Sequence, residues 1–190
     1  MIKNIIMIKN YFFLLNISKK MTSNNNTNTT KIISSIPHDI IPIIVKDFLN
    51  KYGNKYIISG SYIRNSEFSS DIDILYFGVL SDIKDDNKFL SVSDGDKKIS
   101  GYYTYKNNKY RLDIWFCDNW IYEPMLLYTS GPKNFSIVMR HKAKEKNLLL
   151  NQYGLFKLDN TLITNKSKTI LEILGMKKEY INPENRNSYL

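Results

Sequence analysis

Ser69-Ser70-Asp71-Ile72-Asp73-Ile74-Leu75 is the stretch on which the fold turns. Its β-branched, apolar character favours a strand, and a strand has a side-chain period of two. Asp71 and Asp73 therefore project from one face, while Ile72 and Ile74 project from the other. A second run of the same kind, Arg111-Leu112-Asp113-Ile114-Trp115-Phe116, sets Asp113 in the same alternation and could lie alongside. Carboxylates grouped on a sheet are costly to desolvate unless cations neutralise them. Two divalent ions about 3.5–4 Å apart do so where phosphoryl groups are transferred.

Eleven residues before Asp71 stands Gly60-Ser61, which closes the short strand Tyr56-Ile57-Ile58. Glycine lets backbone approach a phosphate closely. Ser61 can donate to a phosphate oxygen, and Arg64 can pair with another. An isolated Asp-x-Asp is usually a solvated turn, and a lone Gly-Ser carries almost no information. In this order, with a later strand aspartate, they form the minimal signature of nucleotidyl transfer. Asp71 and Asp73 would bridge the metals, and Asp113 would bind the ion beside the attacking hydroxyl. His38 and His141 lack metal-ligand spacing and read as ordinary surface residues.

The 190 residues suffice for one core with a small appended domain. A hydrophobic content of 43% with 13% aromatics excludes a globally disordered chain. The net charge of +9 favours an acidic partner, either nucleic acid or an anionic membrane surface. Lys3, Lys9, Lys19, Lys20 and Lys31 precede residue 37 with no acid among them. No apolar run approaches the roughly 18–20 residues of a membrane span. The single cysteine, Cys117, excludes an internal disulfide framework and a Cys-rich zinc site. It ends an apolar run and reads as a buried structural thiol in a reducing, intracellular setting, with nucleus and cytoplasmic viral replication site both open.

Residues 1–34 read as a disordered extension, basic at first and low-complexity over 22–30, with Met21 as an alternative start. Order is expected near residue 35. Asp39 is placed as an N-cap with Pro42 in the first turn, and Ile40, Ile41, Ile44, Val45, Phe48 and Leu49 form one helical stripe that Gly53 ends. Residues 81–98 read as a loop or short irregular helix. Tyr102–Tyr105 and Lys109–Phe116 read as a hairpin around Asn107-Asn108. A basic helix over 134–147 turns Phe135, Val138, Met139 and Ala143 inward. Strand-like residues 148–158, broken at Gly154, follow it. A short helix over 167–174 stops at Gly175, and Pro183 begins an extended tail.

With these motifs in place the sequence resembles the family X DNA polymerases, the group of DNA polymerase beta and terminal transferase. The resemblance rests on Gly60-Ser61-Tyr62-Ile63-Arg64, Ser69-Ser70-Asp71-Ile72-Asp73, Arg111-Leu112-Asp113 and Leu127-Tyr128-Thr129-Ser130-Gly131. It continues through Phe135, Met139-Arg140 and Leu150-Asn151-Gln152-Tyr153-Gly154-Leu155-Phe156. It ends on Ile170–Met176, Tyr180 and Pro183-Glu184-Asn185-Arg186-Asn187, spanning residues 37–187 in the family's order. Many nucleotidyltransferases share Gly-Ser and Asp-x-Asp. The Tyr-x-x-Gly turn, the Met-Arg helix and the closing segment are more specific.

The resemblance implies an α+β fold. A nucleotidyltransferase palm over 35–124, with a mixed, antiparallel-rich sheet and helices on one side, would precede a small α+β thumb over 125–190. That is the reduced plan of small viral members, with no room for a lyase domain. It implies Asp71, Asp73 and Asp113 as catalytic metal ligands for two Mg²⁺, with Mn²⁺ as substitute. Gly60, Ser61, Arg64, Ser70, Tyr128 and Gly131 would bind the nucleotide. Arg140, Arg111, Lys133 and Lys142 would bind DNA. The implied activity is templated filling of short gaps in DNA repair from dNTPs, by a monomer that works beside a DNA ligase and other repair enzymes and away from membranes. Thr129 departs from an aromatic residue, Ser130 from threonine and Ser70 from glycine. Lys133 and Ser136 stand where some members touch the incoming base, so fidelity and sugar choice are not carried over. The alternatives are template-independent or non-DNA nucleotidyl transfer, and a silent DNA-binding module, against which the three aspartates argue.

Overall fold

The computed structural model describes residues 30–189. The readings of the basic segment, Met21 and the low-complexity tract lie outside the described residues. The chain opens on β1 (Lys31–Ile33) and β2 (Ile36–Pro37). Order therefore begins before residue 35, because β1 pairs in parallel with residues Asn108 to Tyr110. Asp39 is not the N-cap of the helix that follows, α1 (Ile41–Leu49). A 3₁₀ turn, His38–Ile40, leads in, and Ile40 occupies the cap without a side-chain bond. Pro42 brings no N–H to the first turn, so fewer donors need a cap there. Ile41, Ile44, Val45, Phe48 and Leu49 are fully buried, as the stripe predicts. A second 3₁₀ turn ends at Gly53 with φ 68°.

The main sheet uses β3 (Tyr56–Ile58), β5 (Ile72–Tyr76), β6 (Phe89–Asp94), β7 (Lys98–Tyr105) and β8 (Asn108–Phe116), and β4 (Phe68–Ser69) pairs separately with β2. The order is β3-β5-β8-β7-β6, with β1 also on β8. Only β5–β8 and β1–β8 are parallel. The polar stretch 81–98 hides β6 and the start of β7, besides the short helix α2 (Leu80–Ile83). β6 is an edge strand, with Phe89 buried and Leu90 and Val92 exposed, so it carries no clean apolar alternation. The hairpin turn is Lys106-Asn107 rather than Asn107-Asn108, with φ of 46° and 63°. Two central residues at positive φ match the twist of the flanking strands.

Alternation divides β5 and β8 into two faces. Ile72, Ile74, Tyr76, Leu112, Ile114 and Phe116 join α1 and Tyr103 in the principal core. Each fully buried side chain of this size contributes roughly 1.5–3 kcal/mol. The opposite face carries Asp71, Asp73 and Asp113, together with Leu75 and Trp115. There α3 (Tyr122–Thr129) sets Met125 against Leu75, Cys117 and Ile121.

A second core gathers Leu127, Phe135, Met139, Ala143, Leu150, Leu155, Ile170, Leu171 and Leu174. It is built from α4 (Lys133–Glu145), the antiparallel strands β9 (Leu148–Asn151), β10 (Gly154–Lys157) and β11 (Leu162–Thr164), and α5 (Ser167–Ile173). The strand-like reading ended at 158 and missed β11, whose three residues expose Ile163 and only half bury their neighbours. The segment after Pro183 is not extended. It coils as 3₁₀ turns over Pro183–Tyr189. Tyr189 and Tyr180 stand edge-on to Phe135 and to each other, which gives the polar tail an apolar anchor. Among the described residues no helix is long and apolar enough to cross a membrane.

Candidate active site

Asp73 and Asp113 stand directly opposite each other in the parallel register of β5 and β8, and Asp71 lies two residues back on the same face. Asp113 is buried, and Asp71 and Asp73 are half-buried. Burial, reinforced by the Asp71 and Asp113 carboxylates, pushes Asp73 up to about 7, while Lys98 and Arg64 pull the other way. The end of β3 passes tightly here. Ser59 donates its backbone N–H to the Asp73 carbonyl at 2.8 Å. Gly60 follows with φ 64°, and a Cβ there would collide with the Asp73 carboxylate.

Asp113 has a cationic neighbour that the motifs do not contain. Lys98 Nζ lies 2.5 Å from Asp113 Oδ2, and Arg111 Nε lies 3.6 Å from Oδ1. Asp113 Oδ1 is buried without a hydrogen-bond partner. In these rotamers no group of three or more His, Cys, Asp or Glu side chains among the described residues is drawn together tightly enough to hold a metal ion. The donor set nevertheless suits a hard divalent cation, which takes oxygen ligands. Such an ion would supply the partner that Oδ1 lacks and offset the burial and carboxylate repulsion that raise Asp73.

Beside the triad lies a cleft of about 340 Å³. Gly60, Ser61, Arg64, Ser70, Asp71 and Asp73 line one side, and Tyr128, Thr129, Gly131, Lys133 and Ser136 line the other. All six residues expected to bind a nucleotide thus meet in one cavity, as does Lys133 from the basic set. Ser61 shares a hydrogen bond with Ser69, Oγ to Oγ, at 2.5 Å. Tyr128 stands edge-on to Trp115 with ring centroids 5.8 Å apart. Thr129 Oγ1 lies 2.7 Å from Ser59 Oγ, which ties α3 to the end of β3. Arg140, Lys142 and Arg111 lie outside the cleft lining. Arg140 is exposed on α4, with Nε donating to the Ser136 carbonyl at 3.1 Å. Lys142 is half-buried on the same helix, and Arg111 is exposed beside Asp113.

Sequence reasoning missed Lys98 and Ser59, and it quoted Ser69 and Arg186 within motifs without giving either a place in the site. Lys98 is readable only from the observed turn, since a turn at Asn107-Asn108 would set it opposite Cys117. Counting back from the Lys106-Asn107 turn sets it opposite Trp115, diagonal to Asp113. Arg186 stands in the quoted closing segment, but its bond to Ser130 spans 56 residues and nothing local announces it.

A model of the DNA polymerase beta thumb matches residues 125–187. Repair DNA polymerase X of African swine fever virus, isolate Pretoriuskop, is 32% identical over 136 residues, 66% of this chain and 78% of the viral protein. The chain belongs to the family X DNA polymerases. The same viral enzyme from the Badajoz strain is 29% identical over 136 residues with the same coverage. The fold of this family X member is shared with Leishmania infantum polymerase beta. Its ternary P/T complex has a TM-score of 0.66 at 21% identity, covering 92% of this chain and 87% of that one. Its ternary gap complex has a TM-score of 0.68 at 20% identity, covering 92% and 79%.

Proposed function

We infer that this family X member is a repair DNA polymerase that fills short gaps, adding templated dNTPs to a primer 3′-hydroxyl. The observation that carries the reading is the register of Asp73 against Asp113 at the edge of a polar cleft lined by Ser61, Arg64 and Lys133. Asp71, Asp73 and Asp113 would hold two divalent ions, Mg²⁺ or Mn²⁺. Bound there, the ions would neutralise the triphosphate and lower the pKa of the attacking hydroxyl.

The chain's own groups do the rest. The Gly60-Ser61 turn presents backbone and hydroxyl donors to the triphosphate. Arg64 and Lys133 supply positive charge where negative charge moves onto the leaving pyrophosphate. Tyr128 and the Gly131 turn flank the sugar. Asp113, nearest the primer end in this reading, orients the hydroxyl and accepts the proton that the hydroxyl loses on attack, while pyrophosphate departs. Residues 35–124 would act as the palm and 125–190 as the thumb, with the division falling inside α3, where Met125 serves the sheet-face cluster and Leu127 the second core.

The test is single-nucleotide insertion on a one-nucleotide gapped duplex with Mg²⁺ and each dNTP in turn. Insertion that follows the template base and is lost in Asp113→Asn supports the reading. Insertion that ignores the template moves the chain to terminal transfer. No insertion with any dNTP or metal overturns the polymerase assignment.

A further inference from the structure

We propose that Lys98 is a resident counter-cation of the catalytic carboxylates, holding Asp113 in the metal-free protein and leaving it when a divalent ion binds. The inference rests on the metal-dependent reading above and goes beyond it, since Lys98 belongs to none of the motifs.

Lys98 opens β7 opposite Trp115, so its side chain crosses diagonally to Asp113, two residues earlier on β8. Its ammonium sits 2.5 Å from Asp113 Oδ2 and 4.8 Å from the centre of the Trp115 ring. The two partners differ in their access to water. The Lys98 side chain is 31% exposed, against 10% for Asp113. The ammonium therefore has a short route to solvent, and the carboxylate does not. Lysine suits the role, because it is a compact charge on a flexible stem, whereas a guanidinium would hold the carboxylate in a fixed fork.

Asp73 and Asp113 face each other across one strand pairing, yet the three carboxylates are not gathered into a ligand set. One oxygen of Asp113 is committed to Lys98, and the other is buried without a hydrogen bond, with only the Arg111 Nε at 3.6 Å for company. A divalent ion on Asp113 would lie within a few ångströms of the ammonium, where like charges in a half-buried site repel strongly. Metal and Lys98 therefore exclude one another. The metal-free site stays neutralised, at the cost of weaker metal binding.

Two measurements on the full chain test this. Mn²⁺ binding without nucleotide, followed by electron paramagnetic resonance, is expected to be about three- to tenfold tighter in Lys98→Met than in the wild type, since the ammonium, 31% exposed, can swing into water at modest cost when the ion arrives. Lys98→Arg, which keeps the charge, is expected to gain no affinity. In the wild type, acetylation of Lys98 by an amine-reactive ester, read by peptide mass spectrometry, is expected to rise at least about twofold in saturating Mg²⁺, because freed amines are the reactive ones. The exposed Lys157 serves as an unaffected reference. Equal or weaker Mn²⁺ binding by a folded Lys98→Met overturns the inference. Should that variant not fold, unchanged labelling of wild-type Lys98 overturns it. Gap insertion by the wild type, run alongside, separates the two failures. If insertion is intact with no Lys98 effect, the inference alone falls. If neither insertion nor metal binding is seen, the polymerase reading falls with it.

Discussion

Arg64 donates from Nη1 to the carbonyl oxygen of Ser130 at 2.6 Å, so a residue of the loop after β3 is tied to the turn after α3. The bond is one link in a longer chain. Arg186, from the last turn, donates from Nη1 to Ser130 Oγ at 2.5 Å, and Asn187 donates to the Arg64 carbonyl at 3.1 Å. Gly131 completes the contact, since a Cβ there would stand 3.2 Å from Arg64 Nη1. The end of the chain thereby helps to set both walls of the cleft.

Arg186→Ala removes the keystone of that chain. Its guanidinium also donates to the Tyr180 and Ile181 carbonyls and lies 4.9 Å over the Phe135 ring. Burial, with Arg64 adding to it, pulls Arg186 down to about 10, so it remains charged at neutral pH. Removing a buried, charge-assisted network of this size costs about 2–4 kcal/mol. Urea denaturation is expected to show that loss, and Arg186→Lys to recover little of it, because one ammonium cannot reach three divergent acceptors. An unchanged midpoint for Arg186→Ala would mean that the tail is not anchored through this residue.

Gly60→Ala tests the close passage of β3 by the triad. The φ of 64° disfavours any side chain, and the added methyl would meet the Asp73 carboxylate. Left-handed backbone at a non-glycine residue costs about 1–2 kcal/mol. Displacement of Asp73 adds a functional loss of its own. The expected outcome is a fall of several degrees in Tm and a drop in gap insertion of at least about tenfold, since a misplacement near 1 Å already costs more than that. A variant with a lowered Tm and full insertion would show that Asp73 tolerates the shift.

The sheet and the carboxylates were legible because both follow from a period of two. Ile72, Ile74, Leu112 and Ile114 announce one buried face, and the aspartates fall between them by necessity. Among the cleft residues, Gly60, Ser61 and Arg64 were legible from the turn that precedes the aspartates, and Ser70, Tyr128 and Gly131 only through resemblance, since nothing in the spacing brings Tyr128 to Ser61. What remained hidden depends on tertiary partners. β6 lacks alternation because it lies at an edge, and β11 is too short to show any. The fold of the tail depends on Phe135, which lies far back along the chain. Asp39 carries the residue type of an N-cap, but a 3₁₀ turn placed the helix start beyond it.

Cys117 supplies a prediction in pH. Burial, with Asp118 adding and Lys55 opposing, pushes its thiol up to about 11. The folded state therefore favours the neutral thiol. This contribution to stability is fully present below the ordinary thiol value near 9 and is lost as pH rises toward 11. At pH 8 the folded chain should hold about a hundredfold less thiolate than the unfolded one, and the thiolate is the nucleophile. Alkylation by iodoacetamide is expected to be at least that much slower in buffer than in urea. Equal rates would place the thiol at the surface.

α4 carries a basic face. Arg140 is exposed, with its Nε bonded to the Ser136 carbonyl, a residue that lines the cleft. Such an anchor points the guanidinium along the helix beside the candidate site, where a template strand would run. If Arg140 neutralises one phosphate, Arg140→Ala should lower the slope of log affinity against log salt by about one and weaken binding to all sequences alike. Lys157→Ala, exposed on β10, is the control, with no change expected because β10 lies outside the cleft. Titration of a fluorescent gapped duplex at several salt concentrations gives both slopes. An unaltered slope for Arg140→Ala would remove α4 from the DNA path, and a loss confined to particular sequences would recast Arg140 as a reader of bases rather than of backbone.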